Sequence, residues 1–360
     1  MKATIALLPG DGIGPEVTAA AVALMQAVAS AYQHEFLFAE YDIGGCAIDQ
    51  TGQALPDRTR VACQNADAVL LGAVGGPQWA SSKTRPEQGL LELRAAMQVF
   101  ANLRPVRVHE RTSNQSPIKP EYLKGVDLVF VRELTGGSYF GARTRTETSA
   151  SDECRYSTEE IERVVRRGFE LARSRRKHLT SIDKANVLET SRLWRETAIR
   201  LSADYPDVTL EHQLVDSMTM LLLIRPAHYD VLVTENLFGD ILTDEASVLA
   251  GSLGLLPSAS LGHGTRGLYE PIHGSAPDIA GKNKANPIGS VLSAALLLRY
   301  SLGLETEACA IESAVDALLD SEELTADLGG NATTQSMTKK LLELFNQQQQ
   351  KSKQKKQAAA

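Results

Sequence analysis

Along the first two thirds of the chain, short β-branched apolar blocks are each closed by turn residues and followed by a segment with apolar positions three and four apart. The blocks are ATIALLPG from Ala3, ADAVLLGAVGG from Ala66, VDLVFVREL from Val126, HLTSIDK from His178, VTLEHQLVD from Val208 and YDVLVTENLFGD from Tyr229. The helical spacing predicts helices over 15–31, 87–100, 158–176, 189–203, 239–250 and 287–302. Strands alternating with helices predict an α/β fold with a largely parallel sheet. The polar stretch GARTRTETSASDECRYS at 141–157 has no helical period and reads as a loop or extended arm. The Gln/Lys tract at 347–360 has no apolar face and is expected to be a disordered tail. No internal repeat is found.

The first block ends in LLPGDGIGPEV, where Gly10, Gly12 and Gly14 run G-x-G-x-G. A dinucleotide fingerprint would place its third glycine at position 15, which is Pro15, a residue suited to the first turn of a helix. The stretch is a tight strand-to-helix turn that departs from the Rossmann fingerprint.

The chain has 360 residues, 43% hydrophobic and 22% charged. That is enough for a large core and about two domains. A net charge of −7 argues against a general nucleic-acid binder, so each arginine is weighed singly. Cys46, Cys63, Cys154 and Cys309 lack C-x-x-C spacing, which predicts free thiols, a reducing compartment and neither a zinc site nor a disulfide framework. The N-terminus lacks a basic region followed by an apolar one, and no apolar run nears the roughly 18 residues of a membrane span. The expected location is the cytoplasm.

Several residues are candidates for chemistry. On the predicted helix from Glu87, Leu90 and Leu91 precede Arg94 by four and three positions and so share its face. A guanidinium beside an aliphatic surface suits a ligand with a carboxylate and an apolar branch, or is a solvated arginine on an amphipathic helix. Arg104 follows that helix. Arg132 ends an apolar strand, where it binds an anion or makes a structural ion pair. Asp240 and Asp244 are four apart on a predicted helix and converge either as an oxygen site for Mg2+ or Mn2+ or as partners of the helix N-terminus. Asp216, at a strand end, is a possible third ligand. Lys184 also sits at a strand end, where a lysine near a divalent cation could act as a base, and Tyr139 follows a Gly-Gly turn; each is equally read as a surface lysine or a packed tyrosine. In YEPIHGSAPDIAGKNKANP, 269–287, small residues would let backbone N–H groups approach a diphosphate, and Asp278 could bind a ribose 2′-OH and repel a 2′-phosphate.

Together, GDGIGPE, GAVGGP, ANLRP, RELTGGSYFG, DKANVLE, FGDILTDEAS, GLLPSASLG and EPIHGSAPDIAGKNKANP, in this order, resemble the β-decarboxylating dehydrogenases, the family that contains the isocitrate and isopropylmalate dehydrogenases. The resemblance implies that family's fold, two α/β domains around a large mixed sheet and not a Rossmann fold. It implies a discontinuous cofactor domain, 1–99 plus 252–346, and a substrate, metal and dimerisation domain at 100–251. It further implies NAD and Mg2+ or Mn2+ as cofactors, a homodimer with shared active sites, and a 3-substituted malate as substrate. The branch expected on that substrate is isopropyl, giving 3-isopropylmalate, because Leu90 and Leu91 would line its pocket where the isocitrate enzymes use a hydroxyl-bearing side chain. Carried onto matching positions, it makes Arg94, Arg104 and Arg132 carboxylate clamps. Tyr139 and Lys184 become the acid/base pair, and Asp216, Asp240 and Asp244 the metal ligands, with Lys184 and Asp216 reaching in from the other subunit. Gly76, Pro77, Glu87, Glu270, His273, Gly274, Ser275, Ala276, Asp278, Ile279 and Asn286 would contact the cofactor, and the arm at 141–157 would clasp the dimer. A non-catalytic binding protein on the same fold would be expected to lack part of the Lys, Tyr and Asp set, and all five residues are present. A sister enzyme acting on isocitrate or tartrate is opposed by Leu90 and Leu91.

Overall fold

The computed structural model describes residues 1–358, with side chains as far as Gln354. In chain order the elements are β1 (Lys2–Gly10), α1 (Gly14–Tyr32), β2 (Glu35–Glu40), α2 (Gly45–Thr51), α3 (Asp57–Asn65), β3 (Ala68–Ala73), α4 (Pro86–Ala96), β4 (Ala101–Arg107), α5 (Pro120–Leu123), β5 (Asp127–Glu133), β6 (Arg143–Arg145) and β7 (Ala150–Asp152). They continue with α6 (Thr158–Ser174), β8 (His178–Asp183), α7 (Glu189–Ser202), β9 (Thr209–Leu214), α8 (Val215–Ile224), β10 (Val231–Thr234), α9 (Asn236–Ser247), β11 (Pro257–Leu261), β12 (Gly267–Pro271), α10 (Ile288–Tyr300), α11 (Glu305–Leu319) and α12 (Thr334–Ala358). The chain forms two compact units, one of Met1–Gln98 with residues from Ser252 onward, the other of Val99–Gly251.

In the first unit the strand order is β2-β1-β3-β12-β11. β1 pairs in parallel with β2 and β3, β3 with β12, and only β11 runs antiparallel to its neighbour. All six residues of β3, AVLLGA, are buried, as a parallel strand covered on both faces requires. α10 is apolar almost all round and is buried along nearly its whole length, packed between α1 and α11. A second cluster holds Leu8, Ile43, Cys63, Leu71 and Leu93, with Leu90 and Met97 against it.

The glycine turn after β1 is a crossing point of backbones. Gly10 and Gly12 have φ of +70° and +59°, and a Cβ on either would lie 2.0 Å from a carbonyl oxygen, of Ala73 and Ser275 respectively. Between them the Asp11 carboxylate accepts the backbone N–H groups of Gly45, Cys46 and Gly75, each at 2.8 Å.

The second unit has the order β4-β5-β10-β8-β9, with β4 antiparallel to β5 and the other pairs parallel. α6 starts at a capping box, Ser157 with Glu160, and buries Ile161, Val164, Val165, Gly168, Phe169 and Ala172, the three-and-four spacing of an amphipathic helix. Helix–strand alternation leaves Lys184 and Asp216 beyond the carboxyl ends of β8 and β9 and Asp240 in the helix after β10, where open α/β sheets hold ligands.

All six expected strands and six expected helices are present, with ends shifted by a few residues. The helix expected to reach residue 100 stops at Ala96, since Gln98 takes a left-handed φ of +54° that breaks the helix and turns the chain into β4. β4 was hidden by Pro105, which reads against a strand interior. β12 occupies the start of the stretch taken as loop at 269–287. The 141–157 segment is an extended arm whose β6 and β7 pair as an exposed hairpin. The tail expected to be disordered is helical as far as Ala358; residues 359 and 360 lie outside the described residues. Met337, Leu341 and Phe345 are fully buried and supply a nucleus, from which Gln and Lys, both good helix formers, propagate the helix. All four cysteines are free. Among the described residues no helix is long and apolar enough to cross a membrane.

Candidate active site

The second unit brings five of the candidate side chains together. Arg132, buried at the end of β5, donates from Nε and Nη2 to Asn236 Oδ1 at 3.1 and 2.9 Å and from Nη1 to Asp240. Its guanidinium carbon lies 5.6 Å from the centre of the Tyr139 ring. The Tyr139 hydroxyl donates to the other Asp240 oxygen at 2.7 Å. Arg104 on β4 donates to Asn102 Oδ1 at 2.8 Å and Thr243 Oγ1 at 2.7 Å, and its Nη1 is 3.6 Å from Asp244. Burial pushes the Asp240 carboxyl up, but Arg132, the Tyr139 hydroxyl and Arg104 outweigh it and hold the group below the ordinary carboxylate range. Burial, then the hydrogen bond and charge of Asp240, raise the Tyr139 phenol above its ordinary value. The pair is thus an ionised carboxylate beside a phenol that keeps its proton.

Lys184 donates to Asp216 at 2.6 Å. Its turn is held from behind: buried Asp183 takes both Nε and Nη2 of Arg195 at 2.8 Å and the N–H of Ala185 at 2.9 Å. Neither Lys184 nor Asp216 is hydrogen-bonded or ion-paired to Tyr139, Asp240 or Asp244 within the described chain.

In the first unit Arg94 on α4 donates from Nη2 to Glu270 on β12 at 2.8 Å, and its buried Nε has no partner. Leu90 is partly sunk into the core cluster, whereas Leu91 is 40% exposed. Gly76 and Pro77 lead into a short turn anchored by Trp79, whose Nε1 donates to Asp49 at 2.9 Å. Glu87 lies in the first turn of α4. In the 272–287 loop, Ala276 and Ile279 rest on Ile13 and Val17 of the α1 start, Ser275 accepts the N–H of Ile13 at 2.8 Å, and Gly274 and Asp278 are exposed. Asn286 accepts the N–H of Ile288 at 3.0 Å and donates to Asp327 at 3.0 Å. Burial holds His273 below its ordinary value, so the ring is neutral near neutral pH. Its Nδ1 faces the Gly274 carbonyl at 2.9 Å, and its buried Nε2 has no partner.

Asn236, Asn102 and Thr243, which aim the two arginines, and Asp183 with Arg195, which set the Lys184 turn, were not read from the sequence. Asn236 sits in ENLFGD four residues before Asp240, which is the only signal it carried.

Two α/β units with mixed strands are the architecture of the isocitrate and isopropylmalate dehydrogenases, and the chain belongs to the isocitrate/isopropylmalate dehydrogenase family, whose model matches residues 4–342. It is 58% identical over 349 residues to a 3-isopropylmalate dehydrogenase of Anaeromyxobacter dehalogenans, covering 95% of this chain and 99% of that protein. It is 56% identical over 349 residues to a 3-isopropylmalate dehydrogenase of Bacillus licheniformis, covering 94% of each. Among solved structures it resembles isocitrate dehydrogenase from Methylococcus capsulatus, with a TM-score of 0.86, 33% identity and coverage of 95% and 99%.

Proposed function

We propose that the protein oxidises and decarboxylates (2R,3S)-3-isopropylmalate to 2-oxo-4-methylpentanoate with NAD, a step of leucine biosynthesis in the cytoplasm. The observation that carries the chemistry is the Tyr139–Asp240–Arg132 cluster, a proton donor, an ionised carboxylate and a fixed guanidinium joined by hydrogen bonds. The relatives at 58% and 56% identity, both 3-isopropylmalate dehydrogenases, support the substrate over isocitrate, which enters at 33%.

Asp240 and Asp244, one helical turn apart, would form with the partner's Asp216 an all-oxygen donor set suited to Mg2+ or Mn2+, and Asp244 is 76% exposed at its side chain. The orphaned His273 Nε2 and the exposed Gly274 and Asp278 fit a nucleotide, so the first unit is assigned the cofactor. Gly76, Pro77, Glu87, Glu270, Gly274, Ser275, Ala276, Ile279 and Asn286 would hold it. When bound, NAD supplies the hydride acceptor for C2 and the divalent cation a Lewis acid for the C2 oxygen.

Arg94, Arg104 and Arg132 would hold the two malate carboxylates, with Glu270 and Asn236 keeping the guanidinium planes in place. Lys184 takes the proton of the C2 hydroxyl as hydride leaves C2. The β-keto acid then loses CO2 by breaking its C3–carboxylate bond, and Tyr139 returns one proton to C3. This leaves Lys184 with one proton more and Tyr139 with one fewer, so a proton passed from the Lys184 ammonium through solvent to the Tyr139 phenolate completes the cycle and restores both. The test is product stoichiometry: equal amounts of NADH, CO2 and 2-oxo-4-methylpentanoate are expected, and NADH without CO2 would refute the decarboxylation.

The second unit exposes Val187, Met220, Ile224, Leu237 and Ile241, several of them on the packed pair α8 and α9. Exposed apolar surface on this scale marks an interface, which supports a homodimer in which Lys184 and Asp216 serve the partner's Asp240 and Asp244.

Two further results are expected. Asp278 should make NAD the preferred cofactor, and Asp278→Ala should narrow the NAD/NADP ratio of kcat/KM by about tenfold through loss of 2′-phosphate repulsion; an unchanged ratio would remove Asp278 from the site. Leu91→Ser should lower kcat/KM for 3-isopropylmalate about tenfold, the scale of a few buried methylenes, and spare malate. Leu90→Ser should in addition lower the melting temperature, since Leu90 packs into the core.

A further inference from the structure

We infer that His178, Glu211 and His228 form a second metal site, for a transition-metal dication of the zinc type, separate from the carboxylates of α9. The three side chains each offer one ligand atom, and these atoms all lie within 4.8 Å of one another. Nε2 of His178 is 3.1 Å and Nε2 of His228 is 3.0 Å from the same Glu211 oxygen, Oε2. Ligands about 2.0–2.1 Å from a tetrahedral zinc stand roughly 3.3 Å from one another. The nitrogen–oxygen spacings are therefore already close to those of a coordination edge.

The scaffold is rigid. His178 opens β8, Glu211 lies on the paired strand β9 opposite Thr180, and His228 closes a short turn, Pro226–His228, just before β10, the other neighbour of β8. Residues 178 and 180 face the same side of the sheet, which brings Glu211 to His178. Gln213 Nε2 donates to Glu211 Oε1 at 2.7 Å, which ties down one carboxylate oxygen and turns the other to the histidines. The His228 ring stands edge-on to His178, 5.2 Å away, and to Tyr229, 4.9 Å away.

The donor chemistry selects the ion. Two imidazoles and one carboxylate suit zinc, copper or nickel, whereas Mg2+ takes oxygen donors. His178 and Glu211 are half-buried and His228 is exposed, which leaves a fourth position open to water. Of the cationic neighbours, Lys177 is 3.9 Å from Asp207, and Arg225 lies beside Tyr229. His178 and Lys184 are at opposite ends of β8, about 20 Å apart at the rise of a strand, so the two metal sites are independent. Such an ion would pin β8, β9 and the 226–228 turn together. The site uses no cysteine, and its ligands are 33 and 17 residues apart, so no motif announced it.

The test is equilibrium dialysis of the full chain against Zn2+ in excess Mg2+, together with melting with and without Zn2+. About one zinc per chain should be retained by the wild type and by Asp240→Asn, and Zn2+ should raise the melting temperature of both. His228→Ala, at an exposed position, and Glu211→Gln, which keeps shape, should each weaken binding at least tenfold and lose the thermal shift. No zinc retained by the wild type, or retention by the two variants equal to that of the wild type, overturns the proposal and leaves the cluster a hydrogen-bonded structural contact. Loss of zinc in Asp240→Asn would assign the ion to the carboxylate site and overturns it equally.

Discussion

Asp240→Asn is expected to lower kcat by about 10²- to 10³-fold and to weaken the response to Mg2+ or Mn2+, the scale lost when one preorganised charge is removed from a site that stabilises developing negative charge. The substitution keeps the shape and removes the charge. It also disturbs two observed contacts, since Arg132 Nη1 and the Tyr139 hydroxyl both donate to this carboxylate. Arg132 retains its two bonds to Asn236, and Asp240 is partly exposed, so the stability cost should stay near 1–2 kcal/mol. A melting scan beside a metal titration separates the two effects. A variant that loses stability but keeps metal-dependent turnover would mean that Asp240 only anchors Arg132.

The second large effect is at Lys184. Lys184→Ala should lower kcat by about 10²- to 10⁴-fold, the range of general acid–base catalysis, with a smaller change in KM. Asp183 and Arg195 hold the turn independently of the lysine, so the fold should persist. The decisive version mixes subunits. If Lys184 of one subunit serves Asp240 of the other, neither Lys184→Ala nor Asp240→Asn is active alone. A co-refolded equal mixture should then recover about one quarter of wild-type activity, because half of the dimers are mixed and each has one intact site. Absence of recovery, with mixed dimers demonstrated, would place the lysine and the metal ligands of each site in one subunit.

Much of this was legible before the structure. The strand-end positions of Arg132, Lys184 and Asp216 follow from apolar runs that stop at a charged residue, and Asp240 and Asp244 from helical spacing. What the pattern could not show depends on pairing across the chain. Arg94 finds Glu270 on β12, 176 residues away, and no local period links them. Nothing local singles out Asp11 between its glycines, yet three distant backbone N–H groups converge on it. Leu90 and Leu91 look equivalent in sequence, but one rests in the core and the other is exposed. The composition of the tail shows the lack of an apolar face but not the buried Met337, Leu341 and Phe345 upstream, from which the helix extends.

The most direct test of the central claim is kcat/KM for 3-isopropylmalate, malate and isocitrate, measured side by side with NAD and Mn2+. The expected order is 3-isopropylmalate, then malate, then isocitrate. An isopropyl group gains from the exposed face of Leu91, malate leaves that space empty, and isocitrate would bring an unpaired carboxylate against leucine, which costs several kcal/mol to desolvate. Isocitrate turned over as well as or better than 3-isopropylmalate would contradict the assignment.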